Sequence, residues 1–259
     1  MLTEQEVHYF KTFGFLILRQ VFDQDELKTI NEEFEHALTA AYRHAPFDGT
    51  RRHWVPMLGP DTPFFAGLLE DLRFCRVAEQ LYGEDVFGVA CDANRYVGDT
   101  QWHPDTRSPH QYGVKFAFYL KPVDAQSGAL RVLPGSHICP FHDELRQARE
   151  ASRLDLDEVP AFVCASEPGD VVAFDLRLWH ASLGGGVDRR MCTAVYYNNP
   201  KTAEEERVTR EQGRSNADTA VRFDRPAEPI HPPHWLANVH GDPRRQRWID
   251  RMRVLEFLD

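Results

Sequence analysis

The sequence lacks the features that mark membrane proteins and nucleic-acid-binding proteins. No apolar run approaches the roughly 18 residues that a membrane-spanning helix needs. The 30 basic and 40 acidic residues give a formal net charge of −10, whereas surfaces that bind nucleic acid or anionic lipid are basic. We therefore expect no nucleic acid and no membrane among the partners. The net charge still leaves open a local basic pocket for an acidic substrate.

Cysteine is scarce as well. The five cysteines are odd in number, widely spaced and free of any Cys-x-x-Cys pair, so neither a disulfide framework nor a zinc knuckle is expected and a reducing compartment is the default. The first residues, 1–6, lack the basic and apolar regions of a signal peptide. Together these features predict a cytoplasmic protein.

The chain contains enough apolar material for a sizeable core. Of its 259 residues, 42% are hydrophobic and 12% aromatic, which argues against wholesale disorder. Neither an internal repeat nor a low-complexity tract divides the chain. We predict a single domain over residues 1–259, with helices first, a β-barrel in the middle and helical additions at the end.

Helix signals dominate the first 83 residues. Thr3 with Glu6 and Asp23 with Glu26 are capping boxes, which mark helix starts. The first predicts a short helix, and the second predicts an amphipathic helix that ends near residues 42–45. The predicted elements here are a helix through residue 13, a strand over 14–18, the amphipathic helix, and a third helix over 63–81.

Between these helices, residues 46–61 are rich in proline, glycine and charge, which predicts a loop. The segment contains Arg51, Arg52 and Trp54. A long loop with two arginines and a tryptophan could also line a pocket for an anionic or planar substrate.

From residue 85 onward, short apolar and β-branched runs alternate with turns. The runs cover residues 86–96, 112–120, 130–133, 162–164, 170–175 and 191–197. Several short strands at such spacing predict a sandwich or barrel. Residues 141–157 are typical of a charged helical insertion, the chain turns polar after residue 200, and a terminal helix is predicted over 243–258.

The segment Trp102-His103-Pro104-Asp105 carries a pattern for binding metal. At a strand end, side chains i and i+2 share one face, so His103 and Asp105 project side by side. With His180 from a neighbouring strand they form the two-histidine-one-carboxylate triad, which binds Fe(II) and leaves the opposite positions open. The alternatives are a chance His-x-Asp triplet and a zinc or purely structural metal.

Four segments follow one another in an order that resembles a known family. They are residues 10–27, His103-Pro-Asp105, residues 128–137 and residues 169–182, the last followed by an arginine-headed strand. Over roughly residues 8–198 the chain is similar to the phytanoyl-CoA dioxygenase family of Fe(II)- and 2-oxoglutarate-dependent oxygenases. The resemblance implies a mainly β fold, a double-stranded β-helix (jelly roll, cupin-like) with its core at about residues 84–199 and with flanking N- and C-terminal helices.

The resemblance also implies an activity. The expected enzyme is a dioxygenase that uses Fe(II), 2-oxoglutarate and O₂, releases succinate, and hydroxylates a small-molecule substrate. His103, Asp105 and His180 would be its metal ligands, and aspartate at 105 favours oxygenation, since related halogenases have glycine or alanine there. The alternatives are desaturation, epimerisation or cyclisation at the same site, or a jelly-roll protein that binds without turnover. Neither the substrate nor the oligomeric state is readable from the sequence.

The distal carboxylate of 2-oxoglutarate needs a cation, and the fork of an arginine can make two charge-assisted hydrogen bonds to it. The family places this arginine near the start of the strand after the distal histidine, where Arg189 and Arg190 both qualify. Neighbouring side chains on a regular strand point to opposite faces, so only one can reach the pocket. We favour Arg189 slightly.

Two further polar residues are candidates for binding an acid. Lys115 lies in an otherwise apolar strand, where a lysine is seldom fully buried without a partner. It could bind the cosubstrate or the substrate, or else point outward from an edge strand. Asn94, on the strand before the iron motif, is a candidate for a hydrogen bond to the cosubstrate.

Overall fold

A computed structural model describes residues 1–106, 108–151, 160–216 and 229–258. Its helices are α1 (Glu4–Phe13), α2 (Gln24–Ala41), α3 (Pro63–Leu68), α4 (Leu72–Tyr82), α5 (Phe141–Glu150), α6 (Ala203–Asn216), α7 (Pro233–Leu236) and α8 (Pro243–Val254). Its strands are β1 (Phe15–Leu18), β2 (His53–Pro56), β3 (Phe87–Val97), β4 (Thr100–His103), β5 (Gly113–Tyr119), β6 (Leu130–Val132), β7 (Phe162–Cys164), β8 (Val171–Asp175), β9 (His180–Ser182) and β10 (Val187–Tyr197).

The strands form two antiparallel sheets. The larger has the order β1-β8-β5-β10-β3-β2, and the smaller has the order β4-β9-β6-β7. The long strand β10 lies inside the larger sheet between β3 and β5. The prediction of a mainly β jelly-roll core with flanking helices is confirmed. Strands β1 and β2 extend the larger sheet beyond the predicted core of residues 84–199, because their backbones pair antiparallel with β8 and β3.

The capping boxes at the start of the chain form as predicted. The Thr3 hydroxyl accepts a hydrogen bond from the Glu6 amide, and the Glu6 carboxylate accepts one from the Thr3 amide. Asp23 and Glu26 make the same reciprocal pair at the start of α2. Gly14 ends α1 with a left-handed φ of 85°, a conformation that glycine adopts without steric cost.

The single helix predicted over residues 63–81 is wrong in one respect, since two helices occupy this range. α3 ends at Leu68 and α4 begins at Leu72. Asp71 between them caps the second helix by accepting a hydrogen bond from the Arg73 amide at 2.8 Å. A short acidic residue favours such caps over helix interiors, which explains the break.

The loop predicted over residues 46–61 contains strand β2, so that prediction is also wrong in part. β2 pairs with β3 as the edge of the larger sheet. Its Trp54 amide donates to the Tyr42 hydroxyl, which in turn donates to the Trp54 carbonyl, both at 3.0 Å. An edge strand tolerates Pro56, because one side of it needs no ladder hydrogen bond.

The polar region after residue 200 contains a helix that the sequence analysis did not predict. In α6, Arg210 pairs with Glu206 at 2.6 Å, and Arg207 pairs with Glu204 at 2.7 Å. Such pairs one turn apart stabilise a helix that has no wide apolar face. The insertion predicted over 141–157 forms α5, and its residues 152–157 lie outside the described residues. The terminal helix forms as α8.

Helices cover the outer face of the larger sheet. α2, α3, α4 and α8 contribute buried side chains that include Phe34, Phe65, Phe74 and Trp248. A second apolar cluster joins the two sheets, with members from β1, β5, β6, β8 and β10. The interior between the sheets is therefore apolar at one end, and the polar residues described below lie in the same space.

None of the helices in the described ranges is long and apolar enough to cross a bilayer. All five cysteines are free thiols, and only Cys139 is exposed. The single-domain prediction stays a prediction.

Candidate metal and cosubstrate site

Strand pairing brings the two predicted histidine ligands face to face. β4 pairs with β9 so that His103 and His180 are direct cross-strand partners, with ring centroids 4.4 Å apart. Asp105 lies in the bend just after β4 ends. One possible ligand atom from each of the three residues lies within 4.8 Å of the other two. The structure thus places the three predicted ligands in one cluster.

Backbone carbonyls fix both imidazole rings. His103 Nδ1 lies 2.7 Å from the Gln101 carbonyl oxygen, and His180 Nδ1 lies 2.8 Å from the Leu178 carbonyl oxygen. A carbonyl only accepts, so each Nδ1 carries a proton, and in the neutral ring Nε2 then holds the lone pair that a metal needs. This second contact on the ring is the usual device that orients a metal-binding histidine.

The charges of the cluster also suit a metal. Burial lowers the pKa of His180 to about 3, against an opposing effect of Asp105, so this imidazole stays neutral. Burial raises the pKa of Asp105, but Lys115 and the two histidines outweigh it and bring the value to about 2. Neutral imidazoles and an ionised carboxylate are the protonation states in which these side chains bind metal.

Lys115 lies beside the proposed metal ligand Asp105. Its Nζ is 3.3 Å from both carboxylate oxygens. Burial lowers the pKa of this ammonium, but the charge of Asp105 outweighs it and holds the pKa above the usual range. Lys115 is therefore an inward-facing charged lysine, and the alternative of an outward edge-strand lysine is not what the structure has.

The two arginine candidates point to opposite faces of β10, as strand geometry predicts. Arg189 is 6% exposed and faces the cavity of the triad. Arg190 points away, where it pairs with Glu35 at 2.5 Å and with Asp188 at 3.0 Å. Of the two, only Arg189 lines this cavity.

Arg189 has hydrogen-bonding capacity that the protein leaves unused. Its Nε and Nη1 are buried and have no hydrogen-bond partner within the described residues, while Nη2 makes a long contact of 3.5 Å with the Thr100 hydroxyl. The guanidinium also stacks 5.0 Å from the centroid of the Tyr96 ring. Buried donors without partners are costly, so this arginine fits an anion that binds in the cavity. A carboxylate such as that of 2-oxoglutarate has the required charge and acceptors.

Two cavities meet at Asp105. The first, of about 140 Å³, extends from His103, Asp105 and His180 to Arg189. The second, of about 300 Å³, has walls that include Trp54, Asp92, Leu176, Val195 and Tyr197. Arg52, Asp105 and Lys115 line both. One cavity therefore offers room for a cosubstrate, and the other offers room for a substrate.

The loop with two arginines contributes to this space through Arg52. Its guanidinium lies 4.2 Å from the centroid of the Tyr96 ring, and its Nε donates to Asn94 Oδ1 at 3.0 Å. The Asn94 amide nitrogen donates in turn to Asp92. Both ends of the Asn94 amide are thus engaged by neighbouring side chains, and its predicted contact with the cosubstrate stays a prediction.

The sequence analysis missed several residues of the first cavity. Ser182 lines it, and its position two residues after His180 on a strand was a usable signal. Tyr96 reaches Arg189 because the two residues are partners in the pairing of β3 with β10, which no local pattern reveals. Gly128 and Gly185 lie against the Arg189 guanidinium, and the sequence gives no sign of that contact.

The model of a known protein family matches residues 10–191, most of the chain. It is described as phytanoyl-CoA dioxygenase. The chain belongs to the phytanoyl-CoA dioxygenase family. The matched range contains the His103-Asp105 pair, His180 and both candidate arginines. Membership in the phytanoyl-CoA dioxygenase family confirms the assignment to Fe(II)- and 2-oxoglutarate-dependent oxygenases, the oxidoreductase class and the predicted use of Fe(II), 2-oxoglutarate and O₂.

Solved structures share the fold. EvdO2 from Micromonospora carbonacea var. aurantiaca, complexed with 2-oxoglutarate, superposes with a TM-score of 0.58 at 21% identity over 78% of this chain and 94% of its own. EctD from S. alaskensis with bound Fe superposes with a TM-score of 0.58 at 21% identity over 76% and 77%. SnoN, an α-ketoglutarate-dependent epimerase from nogalamycin biosynthesis, gives 0.57 at 18% identity over 78% and 88%. No curated protein matches the chain.

Proposed function

We propose that this protein hydroxylates a small molecule with concurrent decarboxylation of 2-oxoglutarate to succinate. The observation that carries the proposal is the cluster of His103, Asp105 and His180 in one cavity with the unsatisfied donors of Arg189. When bound, ferrous iron with 2-oxoglutarate and O₂ supplies the oxidising power that inserts oxygen into a C–H bond. The rest of the task falls to this chain's own side chains.

In this proposal, His103 and His180 would hold the iron through Nε2, and Asp105 would hold it through its carboxylate. The carbonyl contacts on Nδ1 keep both imidazoles in the tautomer that offers Nε2 as the ligand atom. Arg189, itself 6% exposed, would receive the distal carboxylate of 2-oxoglutarate at the far end of the first cavity. Arg190 remains in its surface ion pairs.

The adjoining cavity favours a substrate with an anionic group. Among the described residues, Asp105 is the ion-pair partner of the Lys115 ammonium, and Asp92 adds a more distant negative charge. A metal that shares the Asp105 carboxylate weakens its compensation of the lysine charge. A half-buried cation of this kind attracts a further anion. An acidic substrate in the second cavity supplies that anion to Lys115, with Trp54 and Tyr197 as apolar walls.

The same ligands serve desaturation, epimerisation and cyclisation in related chemistry. Asp105 completes a three-ligand site, which favours oxygenation over halogenation, and among the remaining outcomes we propose hydroxylation. A jelly-roll protein that binds without turnover has no need of a three-ligand metal site in the same cavity as an anion-binding arginine. Mass analysis of the product separates these outcomes, since hydroxylation adds one oxygen atom and desaturation removes two hydrogens.

The first test is spectroscopic. Addition of Fe(II) and 2-oxoglutarate without oxygen should give a visible metal-to-ligand charge-transfer band. The band should disappear in His103→Ala and persist in His110→Ala, which removes an exposed histidine outside both cavities. An unchanged band in His103→Ala, or none in the unmodified protein, would contradict the proposal.

The second test is turnover. Succinate release is measured without any added substrate, then with each of a panel of small carboxylic acids, and then with the matched amide of each acid. We expect acids to raise succinate release above the substrate-free rate and their amides to leave it unchanged. Amides as active as their acids would overturn the proposed substrate class, while leaving the oxygenase assignment intact.

We further propose one domain over residues 1–259 and a cytoplasmic location. Five free cysteines, four of them buried, support a reducing compartment.

A further inference from the structure

The guanidinium of Arg189 lies between two glycines from different parts of the chain. Gly128 precedes β6, and Gly185 lies in the turn between β9 and β10. A Cβ added to Gly128 would lie 2.1 Å from Arg189 Nη1. One added to Gly185 would lie 2.2 Å from the same atom and also 2.2 Å from the Gly98 carbonyl oxygen. These distances are far below van der Waals contact. Any side chain at either position therefore occupies the space that the guanidinium now fills.

Hydrogen bonds do little to hold this guanidinium in place. The described protein gives Nε and Nη1 no acceptor, and the Thr100 hydroxyl lies at the 3.5 Å limit from Nη2. The Tyr96 ring covers the guanidinium at 5.0 Å from its centroid. The shape of the surrounding backbone, rather than polar partners, thus sets the position of this charge.

We propose that Gly128 and Gly185 are positioning residues for the cosubstrate, because the bare backbone at both positions lets Arg189 reach the place where it receives the distal carboxylate. The inference rests on the proposed function, in which Arg189 binds 2-oxoglutarate. It adds a requirement that the ligand set alone does not contain. An alanine at Gly128 meets the flexible end of Arg189 first and so displaces the guanidinium, whereas an alanine at Gly185 also meets the Gly98 carbonyl. Gly128→Ala is therefore the more direct test.

The chain offers a matched control for each glycine. Gly128 has a φ of +83°, and Gly49 has a φ of +81° with only ordinary van der Waals neighbours. Gly49→Ala therefore imposes the same backbone strain without touching Arg189. Gly186 follows Gly185 directly, and a Cβ on it would meet nothing within 4 Å. Gly186→Ala thus controls for a substitution in the same turn.

The measurement is the 2-oxoglutarate concentration that half-saturates the charge-transfer band of the Fe(II) protein without oxygen. We expect Gly128→Ala and Gly185→Ala to raise it roughly tenfold or more, because a charge-assisted contact is displaced. Gly49→Ala and Gly186→Ala should stay within about twofold. Fe(II) affinity, measured separately, should be unchanged in all four variants.

A double-mutant cycle shows whether the glycines act through the arginine. In an Arg189→Met background the guanidinium is gone, so Gly128→Ala should weaken 2-oxoglutarate binding no further. Equal losses in both backgrounds would overturn the inference, as would glycine variants that match their controls. Failure of both glycine variants to fold, with both controls folded, would show that the glycines serve the backbone alone and would also overturn it.

The outcomes keep the two proposals apart. If the unmodified protein gives no band, or if Arg189→Met binds 2-oxoglutarate normally, the proposed function fails. If the unmodified protein and Arg189→Met behave as expected but the glycine variants bind normally, only the inference on positioning fails.

Discussion

Asp105 and Asp175 differ in how many hydrogen bonds and how much positive charge the protein supplies to the carboxylate. Asp175 is 1% exposed, and it accepts from the Tyr82 hydroxyl at 2.6 Å and from Arg177 Nε and Nη2 at 2.9 and 2.7 Å. The Arg177 amide adds a further hydrogen bond at 2.8 Å. Burial raises the pKa of Asp175, but the hydrogen bonds and charge of Arg177 outweigh it and hold the pKa below its usual range.

Asp105 has much weaker partners. Lys115 Nζ lies 3.3 Å from both of its oxygens, and His180 Nε2 lies 3.9 Å from Oδ1. Its remaining lone pairs face a cavity. Both residues are ionised aspartates in the interior, yet one is saturated by the protein and the other is open to a ligand. The comparison indicates that Asp175 stabilises the fold and that Asp105 serves the proposed metal site.

The largest expected effect separates these two aspartates directly. Asp175→Ala leaves Arg177 without its partner, so we expect the free energy of unfolding to fall by about 3 kcal/mol or more. Asp105→Ala leaves Lys115 beside a cavity that admits water, so we expect a loss of only about 1 kcal/mol and no charge-transfer band. Urea denaturation of the metal-free proteins measures the two losses of stability. Equal destabilisation by the two substitutions would break the comparison.

The second effect concerns the two neighbouring arginines, one with unsatisfied donors and one fully paired. Arg189→Met should raise the dissociation constant of 2-oxoglutarate roughly 100-fold, a change of about 2.7 kcal/mol, because the carboxylate loses its cation. Arg190→Met should change it less than about threefold, because that side chain contacts Glu35 and Asp188 instead. Titration of each Fe(II)-loaded variant with 2-oxoglutarate, followed by the charge-transfer band, measures both dissociation constants. The reverse ranking would move the anchor to Arg190.

The third effect concerns a buried group that is neutral rather than ionised. His231 Nε2 donates to the Val89 carbonyl at 2.6 Å, and burial lowers the pKa of His231 to about 4. Because the folded pKa lies below the unfolded value near 6.5, this residue stabilises the fold above pH 6.5 and loses that contribution as the pH falls toward 4. We expect roughly 2 kcal/mol of stability to be lost between pH 7 and pH 5.

Urea denaturation across that pH range, compared with His231→Gln, measures the contribution. The substitution should flatten the pH dependence between pH 7 and pH 5. If the slope in His231→Gln matches that of the unmodified protein, other groups carry it.

The smallest change in stability is expected at an exposed ion pair, where water solvates both charged groups. Arg146 on α5 lies 3.6 Å from Asp143 and 3.5 Å from Glu150, and its side chain is 39% exposed. Arg146→Gln should change the free energy of unfolding by less than about 0.5 kcal/mol, because exposed ion pairs contribute little. Thermal denaturation of the two proteins measures the change. A large loss of stability would mean that the solvent exposure of an ion pair does not indicate how little it contributes to the stability of this protein.

Much of the fold was predictable because its signals are local. The capping boxes at Thr3 and Asp23 predicted the starts of α1 and α2, and the apolar runs after residue 85 predicted most of the core strands along the chain. The errors arose where a tertiary partner decides the outcome. β2 exists because β3 offers it a partner, and the cap at Asp71 divides a helix that the apolar spacing alone made continuous.

The sequence by itself determined the alternation of side chains along each strand, and hence that His103 and Asp105 could act together and that Arg189 and Arg190 could not. It also determined the family, through segments that follow in order. Only the tertiary structure decided that His180 meets His103, that Arg189 faces the cavity, and that glycines distant in the chain make room for it. The physical reason is that a strand's periodicity is set by its own backbone, whereas these contacts depend on which strands pair and in what register.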